Sequence, residues 1–295
     1  GDGITPCYVE IKEWSTATQT AYLWVRVPRI NPGEDTHLYL YYDPLHAEMT
    51  DYVGDTASET AWNVWDDGYG FVGMKPSGGQ LLDSTRNQNH GTIYGAAVTQ
   101  GPLGACLSFD GVDDYIDIPY DASLQVTSQM TLTVMLNHSG AHSGGYGGLW
   151  FDNQSSTRNR ILLQNDCRIL SQIVIGGVSR EMVSVEGISA DVWGSIDVSY
   201  DGAAYTHWIN GVADAPHSVS GDIDSPTGKS RWIGRGHATT YWYGGMIAFV
   251  SLSSVARSPA WIAATNLSLR DELIVYSDPG DIVTFAATPH VRPAP

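Results

Sequence analysis

Short runs that alternate apolar and polar residues, broken every few positions by Gly, Asp, Asn or Pro, constrain this chain more than any other feature. Ala21–Val27 sets Leu23, Val25 and Val27 against Tyr22, Trp24 and Arg26, and Tyr8–Trp14 places Val9 and Ile11 on one face. His37–Tyr42 sets Leu38, Leu40 and Tyr42 against His37, Tyr39 and Tyr41. A period of two fits a half-buried strand, not a helix. Further candidates are Ala105–Phe109, Tyr115–Ile118, Met130–Leu136, Arg160–Gln164, Ile169–Ile175, Glu181–Val185, Ser195–Tyr200, Tyr205–Ile209, Arg231–Ile233, Met246–Leu252 and Leu273–Tyr276. Asp201-Gly202 and Asn210-Gly211 supply the positive-φ positions that tight hairpins need. Two helical segments interrupt the pattern: residues 56–65 with Ser58 as cap, and a helix from Pro259 with Ser258 as cap. The expected fold class is all-β, an antiparallel β-sandwich preceded by a smaller antiparallel meander.

Composition narrows the partners. Fifteen Lys+Arg stand against 32 Asp+Glu, a formal net charge of −17. A duplex-binding protein needs cations to displace counterions, so nucleic acid is excluded as a general partner, and an anionic membrane surface would repel the chain. No apolar run approaches the length of a membrane span, which predicts no membrane insertion, and no signal peptide is evident. The absence of an initiating Met predicts a processed or excised piece. Cys7, Cys106 and Cys167 are too few for a disulfide framework; Cys106 reads as core, and a Cys7–Cys167 bridge is left open.

Several landmarks occur in one order. Leu82-Asp83-Ser84-Thr85-Arg86-Asn87-Gln88-Asn89-His90-Gly91-Thr92 forms the first. Gly104-Ala105-Cys106-Leu107-Ser108-Phe109-Asp110-Gly111-Val112-Asp113-Asp114-Tyr115-Ile116 forms the second. Trp193 with Val198-Ser199-Tyr200-Asp201-Gly202, then Ile209-Asn210-Gly211-Val212, Ile233-Gly234-Arg235-Gly236, Tyr243-Gly244-Gly245-Met246-Ile247 and Ser254-Val255-Ala256-Arg257-Ser258, complete the series. Together they resemble the concanavalin A-like, laminin-G-like jelly-roll family of lectins and glucanases. The segment carrying Tyr8-Val9-Glu10-Ile11, Leu23-Trp24-Val25-Arg26-Val27-Pro28 and Leu38-Tyr39-Leu40-Tyr41-Tyr42-Asp43 is similar to an uncharacterised β domain that precedes such jelly rolls in prokaryotic surface and phage virion proteins. The resemblance implies a partial antiparallel β domain over 1–55, a concanavalin A-like jelly roll over 56–278 and a Pro-rich tail over 279–295. It also implies an extracellular, cell-surface or virion location.

The chemistry follows from residue types. Sugar rings stack their C–H faces on Trp and Tyr, while Asp, Asn and Arg bind hydroxyls. Two loops, 144–154 and 235–243, combine these types; their glycan-binding candidates are Tyr146, Trp150, Asp152, Asn153, Tyr241 and Trp242. Core packing or contact with another subunit is the competing reading of these aromatics. The resemblance raises calcium as a cofactor, with Asp83, Asn87, Asn89 and Asp110 as ligands by motif, although Ala248-Phe249 replaces the family's acidic pair. His138 and His142 have a zinc-compatible spacing but lie among Gly and Ser, so a surface loop is expected. Hydrolysis needs two carboxylates flanking a glycosidic bond, and the sequence displays neither a Glu-x-Asp-x-x-Glu run nor a Gly-x-Ser-x-Gly elbow. The resulting expectation is a non-enzymatic extracellular carbohydrate-binding or adhesion module. The alternatives are a structural subunit of a virion or cell-surface assembly, whose partners are its other subunits, and a glycan hydrolase.

Overall fold

The computed structural model describes residues 5–30, 36–40, 47–65, 67–140, 142–152, 159–237 and 239–274. Within them, nearly every strand expected from alternation forms. Tyr115–Ile118, Arg160–Gln164 and Arg231–Ile233 keep the predicted bounds, and Met130–His138, Arg168–Ile175 and Val178–Gly187 run longer. They build two antiparallel layers. In the first, Ala204–Ile209, Gly194–Tyr200, Met130–His138 and Gly244–Ser253 pair in that order. Tyr69–Ser77 and Gly104–Asp110 share the far side of Gly244–Ser253. In the second layer the order is Val178–Gly187, Arg168–Ile175, Arg160–Gln164, Tyr146–Asp152, Arg231–Ile233, Tyr115–Ile118 and Gly91–Tyr94. Gln80–Asp83 pairs with both Tyr69–Ser77 and Gly91–Tyr94 and so joins the layers.

Inward-pointing residues of both layers meet in one core. Leu132, Val134, Leu136, Ile196 and Val198 from the first pack with Leu149, Ile161, Leu163, Ile169 and Ile173 from the second. Burying a side chain of this size contributes about 1.5–3 kcal/mol, which makes this core the main source of the sandwich's stability. The outer face of the first layer is also covered. Helix Pro259–Leu269, capped by the Ser258 hydroxyl, lies over a row of buried Thr131, Thr133, Ser195, Asp197 and Ser251, and Asn266 donates to Ser195 Oγ. No helix among the described residues is long and apolar enough to cross a membrane.

The first segment forms a three-stranded sheet, with Val9–Ser15 between Thr20–Val25 (antiparallel) and Val53–Asp55 (parallel). Its inward face is not the aliphatic one. Glu10 and Lys12 are 0% and 1% exposed, whereas Val9 and Ile11 are half-buried. Lys12 Nζ donates to the carbonyls of Leu103 at 2.5 Å and Ala105 at 3.0 Å, and burial pulls its pKa down to about 8. Glu10 accepts from Trp65 Nε1 at 2.5 Å and Ser84 Oγ at 2.8 Å, while burial pushes its carboxyl up. Around this polar pair a second apolar cluster forms from Trp65, Val72, Met74, Leu103, Met135, Phe249 and Leu269, with Trp24 packed against it.

Some expectations are corrected. His37–Leu40 form no strand and are exposed, because no strand among the described residues pairs with them; Tyr41 and Tyr42 lie outside the described residues. Leu273 and Ile274 are not strand, and the rest of that candidate and the tail over 279–295 lie outside the described residues. His138 and His142 are 0% and 6% exposed, not surface groups. The strand Met130–His138 carries His138 into the interior, where Nε2 donates to the Ile188 carbonyl and Nδ1 accepts from Gly140 N–H. All three cysteines are free thiols, so Cys7 and Cys167 are not bridged.

Candidate functional site

On the second layer, Tyr115 and Asp117 share the face opposite the buried Ile116 and Ile118. Register carries that outward row across neighbouring strands: Tyr94 opposite Tyr115, and Trp232 opposite Asp117. The ring of Tyr94 stacks on Tyr115 at 4.6 Å and 10° and remains 45% exposed. Trp232 and Trp242 approach Tyr115 at 6.1 Å each. Asp117 Oδ1 accepts from Trp232 Nε1 at 3.1 Å and fixes that indole edge.

Arg235 lies at the centre. Its guanidinium carbon is 4.1 Å from the Trp232 ring centroid and 4.8 Å from those of Tyr115 and Trp242, and its Nε donates to the His237 carbonyl at 3.0 Å. Burial among the rings lowers its pKa from the ordinary guanidinium value. A cation enclosed this way contributes about 1–2 kcal/mol and holds the rings in fixed relative positions. The hairpin that carries it closes through an Arg235–Trp242 bridge and a bond from Gly236 N–H to the Tyr241 carbonyl. This hairpin lies directly on Gly148, where a Cβ would sit 2.2 Å from the backbone carbon of Arg235, so only glycine fits.

The platform continues through the hairpin tip. Tyr241 packs edge-on against Tyr146 at 4.9 Å, with Arg160 5.8 Å from the Tyr241 ring. Tyr241 holds a backbone φ of +65°, a conformation costing about 1–3 kcal/mol for a non-glycine residue and concentrated at binding sites. The result is one surface of Tyr94, Tyr115, Trp242, Tyr241 and Tyr146 around Arg235, suited to apolar ring faces with hydroxyls at their rims.

The structure places the expected residues unevenly. Tyr146, Tyr241 and Trp242 are brought together. Trp150 is 4% exposed in the core against Phe71. Asp152 is also buried, its Oδ1 2.7 Å from Arg231 Nε and its Oδ2 accepting from Asn159 at 2.9 Å. Asn153 lies outside the described residues. Tyr94, Tyr115, Trp232 and Arg235 were not among the candidates; alternation in Tyr115–Ile118 and Arg231–Ile233 was the signal that could have placed two of the rings, Tyr115 and Trp232, on the face away from the core.

The four calcium candidates each take part in hydrogen bonds within the protein. Asp83 Oδ1 accepts from Val72 N–H and Thr85 N–H, and Oδ2 from Thr85 Oγ1 and Asn89 N–H, so both oxygens are committed to the turn. Asn87 and Asn89 donate their amides to the carbonyls of Tyr69 and Gly70. Asp110 instead joins Asp113 and Asp114, with carboxylate oxygens within 4.8 Å of one another. Asp83 thus holds the turn through both carboxylate oxygens, and Asn87 and Asn89 anchor it to Tyr69 and Gly70 through their amide nitrogens.

The sequence profile described as the concanavalin A-like lectin/glucanases superfamily matches residues 110–263, and a domain of unknown function matches residues 2–67. Among solved structures, the fold is shared with the binding domain of Paraclostridial Mosquitocidal Protein 1 (TM-score 0.57, 13% identity, 68% of this chain and 52% of that one). It is shared with domain 4 of an extracellular arabinanase from Geobacillus stearothermophilus, solved with arabinotriose (0.55, 17%, 66% and 96%). The botulinum neurotoxin serotype G binding domain gives 0.55, 11%, 68% and 51%; this chain spans about half the length of the two toxin domains. No curated protein matches the chain.

Proposed function

The chain belongs to the concanavalin A-like lectin/glucanases superfamily, and from that premise we propose that it is a non-enzymatic, extracellular carbohydrate-binding or adhesion module. The observation that carries this reading is the aromatic surface around Arg235, with Tyr94 stacked and 45% exposed at its edge. Stacking supplies affinity to sugar C–H faces, and the pre-ordered rings lose little entropy on binding. A platform of rings around a guanidinium suits holding a glycan rather than cleaving one, because cleavage needs two carboxylates across the scissile bond. The arabinotriose in the arabinanase domain makes arabinan a sensible first ligand to try.

Affinity electrophoresis through gels of arabinan, xylan and mixed-linkage glucan tests this. Wild type is retarded by at least one gel. Tyr94→Ala with Trp242→Ala abolishes retardation, a loss of about 1–3 kcal/mol for each stacking ring. Unretarded wild type, or a double variant that runs like wild type, refutes the proposal. A role as a subunit of a surface or virion assembly is the second reading, favoured by Leu38, Tyr39 and Leu40 at 41%, 59% and 72% exposure.

A further inference from the structure

Given that the aromatic platform binds a glycan, we propose that its ligand is an uncharged sugar chain and that polyuronates are rejected there. The inference rests on the proposed sugar-binding role and adds the charge class of the ligand. It starts from the rim of the platform. Asp114 immediately precedes Tyr115, and Gly95, next to Tyr94, approaches so closely that a Cβ there would lie 1.9 Å from Asp114 Oδ1. Asp110 pairs across the strands with Gly244, two residues beyond Trp242. Asp110 and Asp113 are exposed, and with Asp114 they hold three carboxylates within 4.8 Å at the border of the stacked tyrosines. Asp117 adds a fourth on the platform itself.

Two guanidiniums, Arg160 and Arg235, stand against these four carboxylates, so the platform keeps a negative balance. Arg160 lies 3.6 Å from Glu181 Oε1. Arg235 holds its guanidinium carbon 4.1–4.8 Å from three ring centroids and donates its Nε to a carbonyl. Around the whole chain the balance is −17, so a polyanion meets repulsion on approach as well as at the rim. Stacking and hydroxyl bonding carry no such penalty for an uncharged chain, and its affinity should barely respond to salt.

Calorimetry with arabinan, xylan and mixed-linkage glucan oligosaccharides against oligogalacturonate and oligoalginate tests this at low and high ionic strength. At least one uncharged chain binds with a Kd that changes less than about twofold with salt. The polyuronates bind at least about tenfold more weakly at low salt, and screening narrows the gap. Asp113→Asn, at an exposed position, improves polyuronate binding and leaves uncharged binding unchanged. A polyuronate that binds as tightly as the best uncharged chain at low salt overturns the inference while keeping the sugar-binding role. Binding of neither class overturns that role, and the inference with it.

Discussion

Glu10→Ala destabilises the protein by about 3–5 kcal/mol, the loss expected when a buried, hydrogen-bonded charge is removed and its partners are stranded. The carboxylate accepts from Trp65 Nε1 and Ser84 Oγ in a site with no exposure, so truncation leaves an indole N–H and a hydroxyl facing an apolar cavity. It also removes one of the two anions of the strand near Lys12, which remains buried against the Leu103 and Ala105 carbonyls with Glu13 still beside it. Because Trp65 belongs to the cluster shared by the first sheet and the sandwich, the loss falls on their docking. Urea unfolding followed by tryptophan fluorescence measures it. Glu10→Gln, which keeps an acceptor, loses less. A loss under about 1 kcal/mol for Glu10→Ala would mean that the polar pair does not hold the sheet in place.

The second large effect is acid sensitivity from two buried, neutral histidines. His207 is 0% exposed, with Nε2 2.9 Å from Ser171 Oγ, and burial, with His217 nearby, pulls its pKa from 6.5 down to about 4. His142 is stacked 5.3 Å from Tyr243, its Nδ1 accepting from Gly244 N–H, and burial, aided by His138, also pulls it to about 4. The unfolded chain takes up these protons near pH 6.5 and the folded chain only near 4. The stability they contribute is therefore complete above pH 6.5 and lost as pH falls towards 4, up to about 3 kcal/mol for each. Buried carboxyls such as Asp197, pushed up to about 7, act in the opposite sense, so the test is a difference. His207→Gln keeps a polar group but cannot titrate. The gap in stability between wild type and His207→Gln shifts against wild type by about 2–3 kcal/mol between pH 7.5 and 4.5. A pH-independent gap would show that His207 is accessible to protons in the folded state.

These two sites also show where sequence reading stops. Alternation located the strands, since a strand's period is local: Tyr115–Ile118 and Arg160–Gln164 were legible from their own residues. The same alternation could not say which face turns inward. In Val9–Ser15 alternation sets Val9 and Ile11 on one face without saying which face is buried, and the groups that satisfy the inward Glu10 and Lys12 lie between 55 and 93 residues away. His37–Tyr42 alternates equally well and gains no strand at His37–Leu40, because pairing, not pattern, makes a sheet. The platform was half legible. Its hairpin stood out as aromatic and Gly-rich, yet Tyr94, Tyr115 and Trp232 join it only through cross-strand register between segments far apart in sequence. The Asp83 turn adds a further case: its carboxylate accepts from the amides of Val72, Thr85 and Asn89, contacts that the motif's residue types alone do not reveal.

Hydroxyl-radical footprinting with a bound, uncharged oligosaccharide tests the central assignment of the site most directly. The platform reading predicts protection of Tyr94, Tyr115, Tyr241 and Trp242, with no change at Trp14 and Trp261, which are 45% and 43% exposed elsewhere on the surface. Protection centred on Trp14 or Trp261, or unchanged oxidation of Tyr94 and Trp242 at saturating ligand, would contradict it.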